Sequence, residues 1–81
     1  MNNSQKLSYE NATELEQRLI IEPWADQYVI QPGQHVDIVV ESDAPAGCLE
    51  LEQRPGGLTI YGYTGCIISV LSDGEELAPE C

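Results

Sequence analysis

Turn-forming residues punctuate this chain at short intervals: Pro23, Pro32-Gly33, Pro45 with Gly47, Pro55-Gly56-Gly57, Gly65 and Asp73-Gly74. Proline fixes φ and lacks an N–H, and glycine reaches backbone angles closed to other residues, so each break ends the element before it. Breaks about every eight to ten residues leave little room for long helices and fit short strands joined by tight turns. Between them stand β-branched, aliphatic and aromatic residues, which strands favour. Phenylalanine is absent, so Tyr, Val, Ile, Leu and Trp24 must fill the core.

Alternation is clearest in the middle of the chain. In His35–Glu41, Val36, Ile38 and Val40 share one face, and His35, Asp37, Val39 and Glu41 share the other. In Cys48–Arg54, Leu49 and Leu51 oppose Glu50, Glu52 and Arg54. A period of two with one apolar and one polar face marks a strand half-covered by a core. Leu58–Thr64 and Cys66–Leu71 carry apolar bulk on both faces, which makes the latter the best candidate for a central strand. Asp73-Gly74 predicts a turn before Glu75–Leu77.

The first third reads less directly. Asn11 with Glu14 three residues on has the form of a helix capping box, and a helix over 12–21 would bring Leu15 and Leu19 together. Strands over Leu7–Asn11 and Leu15–Glu22 agree better with the β pattern downstream. Tyr28–Ile30 adds a short strand before Pro32-Gly33. The expected fold class is all-β: a single antiparallel sandwich or small barrel of six to seven short strands, with a frayed polar N-terminus over 1–6, one domain over 7–77 and a tail over 78–81.

Two resemblances rest on this part of the chain. Tyr9-Glu10-Asn11, Leu19–Trp24, Ile30-Gln31-Pro32-Gly33 and Val36–Val40 together resemble immunoglobulin-like bacterial modules, in which a strand ending in Asn, a partner strand and a Pro-Gly step before an alternating strand recur. Ile21-Glu22-Pro23-Trp24, followed by Tyr28 and Pro32-Gly33, also resembles a group of small uncharacterised bacterial proteins with a Glu-Pro-Trp, Tyr, Pro-Gly signature. The likeness covers residues 7–40. It implies an immunoglobulin-like architecture and lends no activity.

Charge bounds what such a scaffold can touch. Fourteen acids face three cations (Lys6, Arg18 and Arg54), a formal net charge of −11 in 81 residues. Bare nucleic acid and anionic membranes would repel the chain, because their binders need Lys and Arg to displace counterions. The N-terminus lacks the basic start and apolar stretch of a secretory signal, and no run approaches the length of a membrane span, so a cytoplasmic location is expected. In a reducing compartment Cys48, Cys66 and Cys81 are expected as thiols. A Cys48–Cys66 bridge stays open only if their strands are neighbours.

Catalytic machinery is hard to find. His35 is the single histidine, on the expected wet face. A triad of Cys48 or Cys66 with His35 and Asp37 has no local support, since no nucleophile elbow or helix start adjoins a cysteine. Clustered Cys and His for zinc are missing, and type-one copper needs two histidines. Asp73-Gly74-Glu75-Glu76 lacks the alternating ligand spacing of a calcium loop. Pro55-Gly56-Gly57 lacks the Lys-Ser/Thr of a phosphate-binding loop. Neither an enzyme nor a cofactor is expected.

Two groups of residues remain as contact candidates. Tyr61 and Tyr63 fall on one face beside Gly62 and Gly65, either as an aromatic contact surface or as cover for a second sheet face. Trp24 is open to the same two readings, core anchor or edge platform. Asp37, Glu41, Glu50 and Glu52 lie on wet strand faces, and would form one acidic patch if their strands adjoin; otherwise they serve solubility and edge protection. The expected role is a protein-interaction module for a basic partner, of the immunity or inhibitor kind, with a small-ligand or cation-binding domain as the alternative.

Overall fold

The computed structural model, which describes residues 3–43 and 47–80, contains two four-stranded sheets. The first is ordered β1 (Asn3–Glu10), β4 (His35–Ser42), β7 (Cys66–Ser72), β8 (Glu75–Glu76). The second is ordered β3 (Asp26–Ile30), β2 (Gln17–Glu22), β6 (Gly57–Tyr61), β5 (Glu50–Arg54). Among the described residues there is no helix, and the sheets do not close into a barrel. The helical alternative over 12–21 is therefore not adopted: 12–16 is irregular and β2 starts at Gln17.

The alternation works as the sequence predicts in β4. Val36, Ile38 and Val40 turn inward and meet Leu19, Ile21, Tyr28, Ile30 and Ile60 of the second sheet, together with Cys66 and Val70 of β7. Each fully buried aliphatic side chain contributes about 1.5–3 kcal/mol, so these residues are the main source of stability. Cys48 is exposed, Cys66 is buried, and both are free thiols.

Four expectations need correction. The polar start does not fray at 3–6: β1 begins at Asn3 and pairs with β4 from Asn3 opposite Ser42 to Glu10 opposite His35. An edge strand needs only one covered face, and here Leu7 and Tyr9 are half-buried while Ser4, Lys6 and Ser8 face water. Among the described residues the strands number eight, because Glu75–Glu76 forms a two-residue strand. β7 lies between β4 and β8 as expected of a central strand, but its second face is not buried: Ile67 is 65% exposed, and β8 pairs only with Leu71 and Ser72. Finally, the sheets are not wholly antiparallel: β2 and β6 run parallel, Arg18 opposite Gly57 through Glu22 opposite Tyr61.

That parallel pair follows from the route of the chain. β2 and β3 form a hairpin, β4 crosses to the first sheet, and the β5–β6 hairpin returns with β6 running alongside β2. Gly57 makes the approach possible, because a Cβ there would overlap the carbonyl oxygen of Arg18. Arg18 N donates to Gly56 O (2.8 Å) at one end, and Gly62 N donates to Glu22 O (2.8 Å) at the other. The β5–β6 turn is Pro55-Gly56 with Gly56 at φ 87°, which suits proline followed by a left-handed glycine. Asp73-Gly74 turns between β7 and β8 with both residues at positive φ, the primed geometry of a two-residue hairpin.

Candidate functional site

The outer face of the second sheet is built from three cross-strand rows. The pairing of β2, β6 and β5 sets Glu22, Tyr61 and Glu50 in one row, Ile20, Thr59 and Glu52 in the next, and Arg18, Gly57 and Arg54 in the third. Neighbouring strands lie about 4.8 Å apart, so Tyr61 is flanked by a carboxylate on each side. The face is polarised, with acids toward the β2–β3 turn and two of the three cations of the chain toward the β5–β6 turn.

Tyr61 is held in place by polar contacts. Its Oη donates to Glu52 Oε1 at 2.8 Å, and Arg54 Nη2 donates to the same oxygen at 2.9 Å and to Tyr61 Oη at 3.3 Å. The hydrogen bond from Tyr61, then that from Arg54 and its charge, hold the Glu52 carboxyl below the usual range. Tyr61 first, and then Glu52, push the Arg54 guanidinium further up. A carboxyl with a depressed pKa stabilises the native state above its unfolded pKa and loses that contribution as pH falls through the native one. In Tyr61→Phe, Glu52 is expected to titrate closer to the ordinary glutamate range, read from its side-chain carboxyl carbon by NMR. An unchanged titration would contradict the hydrogen bond as the main cause.

Beyond the first row the face opens into a groove of about 480 Å³, lined chiefly by Glu22, Pro23, Trp24, Tyr61, Tyr63 and Cys66. Two glycines seat its rings. Trp24 Cζ3 lies 3.3 Å from where a Gly62 Cβ would stand, and Tyr63 Cδ1 lies 2.7 Å from a Cβ on Gly47. The indole thus rests on bare backbone and stays 46% exposed, so Trp24 is an edge platform rather than a core anchor. Tyr63 is half-buried against the core. The turn beyond it is fastened by Cys66 N donating to Tyr63 O (3.1 Å), with Gly65 at φ 86°. Tyr61 and Tyr63 share this groove although strand alternation does not place them together, since β6 ends at Tyr61.

The four acids do not form one patch. Glu50 and Glu52 sit on the outer face of the second sheet, whereas Asp37 and Glu41 sit on the outer face of the first. Asp37 lies between Ser8 and Leu71, and Glu41 between Ser4 and Ile67. Ser8 Oγ donates to Asp37 Oδ1 (3.3 Å) and lies 2.8 Å from His35 Nε2. The hydroxyl therefore stands between imidazole and carboxylate, whereas in a nucleophile–base–acid chain the imidazole is central. Among the described residues no group of three or more His, Cys, Asp or Glu side chains is placed to hold a metal ion.

Sequence reasoning missed Glu22 and the locking role of Arg54. Glu22 reaches Tyr61 only through the parallel β2–β6 register, which leaves no local trace. A smaller hollow of about 300 Å³ lies at the cationic end, lined by Arg18, Arg54, Ile20 and Thr59 among others. Thr59 is buried there, and its Oγ1 has no hydrogen-bond partner among the described residues. Two carboxylates and three aromatic rings thus converge at one end of one sheet face. The chain matches no protein-family model, no curated protein and no solved structure.

Proposed function

We propose that this chain is a non-catalytic interaction module that grips a basic protein surface through the outer face and end groove of the second sheet. The observation that carries this reading is the row of Glu22, Tyr61 and Glu50, continued by Trp24 and Tyr63. A Lys or Arg side chain entering there would meet carboxylates and ring faces together. A cation against an aromatic face gains about 0.5–2 kcal/mol, and charge-assisted hydrogen bonds are about twice as strong as neutral ones. The net charge of −11 would speed the approach of a basic partner. Tyr and Trp are also the side chains that interfaces favour. An immunoglobulin-like arrangement and an immunity or inhibitor role in the cytoplasm belong to this reading.

The volume of the groove supports a second reading. About 480 Å³ lies within the range of small-molecule sites, and a free amine would use the same carboxylates and rings as a lysine.

Trp24 is the single tryptophan and lies in the groove, so its fluorescence reports occupancy. Titration with a lysine-rich peptide is expected to shift or quench it, with affinity falling as salt rises. Fluorescence that stays unchanged through saturating peptide would overturn the reading. A response to butylamine equal to that with the peptide would favour the small-ligand alternative.

A further inference from the structure

We infer that the partner is captured as an added strand on the open edge of β5, with its basic residues alternating with apolar ones. This rests on the interaction reading above and adds the main-chain mode by which the partner is held. Arg54 and Gly57 flank a two-residue hairpin turn, so they exchange the first pair of ladder hydrogen bonds. Glu50, Glu52 and Arg54 therefore direct their backbone groups toward β6. Leu51 and Gln53 direct theirs outward along the edge, where no strand pairs with them among the described residues.

The side chains along that edge state what would fit. All five residues of β5 are exposed. Leu51 pairs with Ile60 and so lies on the core-facing side, yet it is 57% exposed while Ile60 is 0%. The core-side surface at β5 is thus left without a roof. On the other side Glu50 faces water, and Glu52 is exposed as well although its Oε1 is engaged by Tyr61 and Arg54. A strand that placed an apolar residue beside Leu51 and Lys or Arg beside Glu50 and Glu52 would match backbone, apolar face and charge in one register.

The other edges suit it less. On β3, Gln27 O already accepts from Glu80 N (2.6 Å). β8 is two residues long. β1 carries Lys6 in the middle of its outer row between Ser4 and Ser8, a cation that no ion pair neutralises among the described residues and that would repel a basic strand, whereas Arg54 of β5 stands at the turn end and is ion-paired with Glu52.

A second copy of the chain is the wrong occupant. Antiparallel self-pairing centred on Leu51 sets each Glu50 against the Glu52 of the other copy. Centring on Glu52 sets that carboxylate against itself. Like charges directly opposite destabilise a strand pair. Centring on Gln53 brings Glu52 to Arg54 but sets Leu51 against Pro55, which has no N–H to give.

The test uses the full chain and a capped synthetic heptapeptide of alternating lysine and valine. At saturation the Leu51 and Gln53 amides are expected to exchange with solvent at least about ten-fold more slowly. The Glu50 and Glu52 amides, already in the β5–β6 ladder, serve as an internal reference. Valines would lie beside Leu51, so N-methylation of valine amides should abolish binding, while N-methylation of lysine amides should be tolerated. Equal binding by the two methylated peptides, or unchanged exchange at Leu51 and Gln53, would overturn strand addition. A Trp24 fluorescence response that persisted in that case would leave the acid-and-tyrosine face standing. Loss of both signals would remove both.

Discussion

Asn11→Ala is expected to destabilise the protein by about 3–5 kcal/mol. The side chain is 1% exposed and uses its full hydrogen-bonding capacity. Nδ2 donates to Leu15 O and to Ile30 O, each at 2.9 Å. Oδ1 accepts from Thr13 N (3.0 Å) and Thr13 Oγ1 (2.7 Å). The backbone is engaged as well, Asn11 N donating to Gln34 O and Gly33 N to Asn11 O. One amide thus ties the end of β1 to the loop before β2 and to the end of β3. Alanine would strand the buried carbonyl of Ile30 and leave a small void. A domain of this size loses about 4–8 °C of Tm per kcal/mol, so thermal unfolding should move by tens of degrees. A loss under about 1 kcal/mol would mean that water replaces the amide, against this account.

Gly57→Ala is expected to cost about 3 kcal/mol or more, the upper end of overpacking effects. The added methyl has nowhere to go, because it would overlap the carbonyl oxygen of Arg18 and approach its carbonyl carbon. Both are backbone atoms of the paired strand, so relief requires β2 and β6 to separate. Separation would weaken the bond from Arg18 N to Gly56 O and the ladder that continues from it. Gly56→Ala is the control. Gly56 adopts φ 87° with open space around its Cβ position, so alanine there pays only backbone strain, about 1–2 kcal/mol. Equal losses for the two variants in chemical denaturation would show that close packing of the parallel pair contributes nothing.

These two residues mark the limits of what sequence could disclose. Local signals worked where the physics is local. The alternation of β4 and the turns at Pro55-Gly56 and Asp73-Gly74 depend on a few consecutive residues. Asn11 was legible as a capping residue or as the end of a strand, because an Asn oxygen accepting from the N–H two residues on looks alike at a helix start and in a loop. Its contact with Ile30, nineteen residues away, has no local signature. Gly57 read as part of a turn, although its main role is to admit Arg18. The parallel register is a property of the crossover, and the row of Glu22, Tyr61 and Glu50 depends on it. Charge alternation did place Glu50 and Glu52 on a wet face. Whether Asp37 and Glu41 joined them depended on sheet assignment, which separates them.

That separation supplies the most direct measurement. Glu22→Gln with Glu50→Gln removes two acids from the aromatic face, and Asp37→Asn with Glu41→Gln removes two from the opposite one. Both variants change the net charge equally, so long-range attraction weakens equally and only local contacts differ. Affinity for a lysine-rich peptide, measured by calorimetry, is expected to fall about ten-fold or more for the first variant and less than about three-fold for the second. Equal losses would mean that the charge of the chain attracts basic partners without a site, contradicting the assignment of the acid-and-tyrosine face.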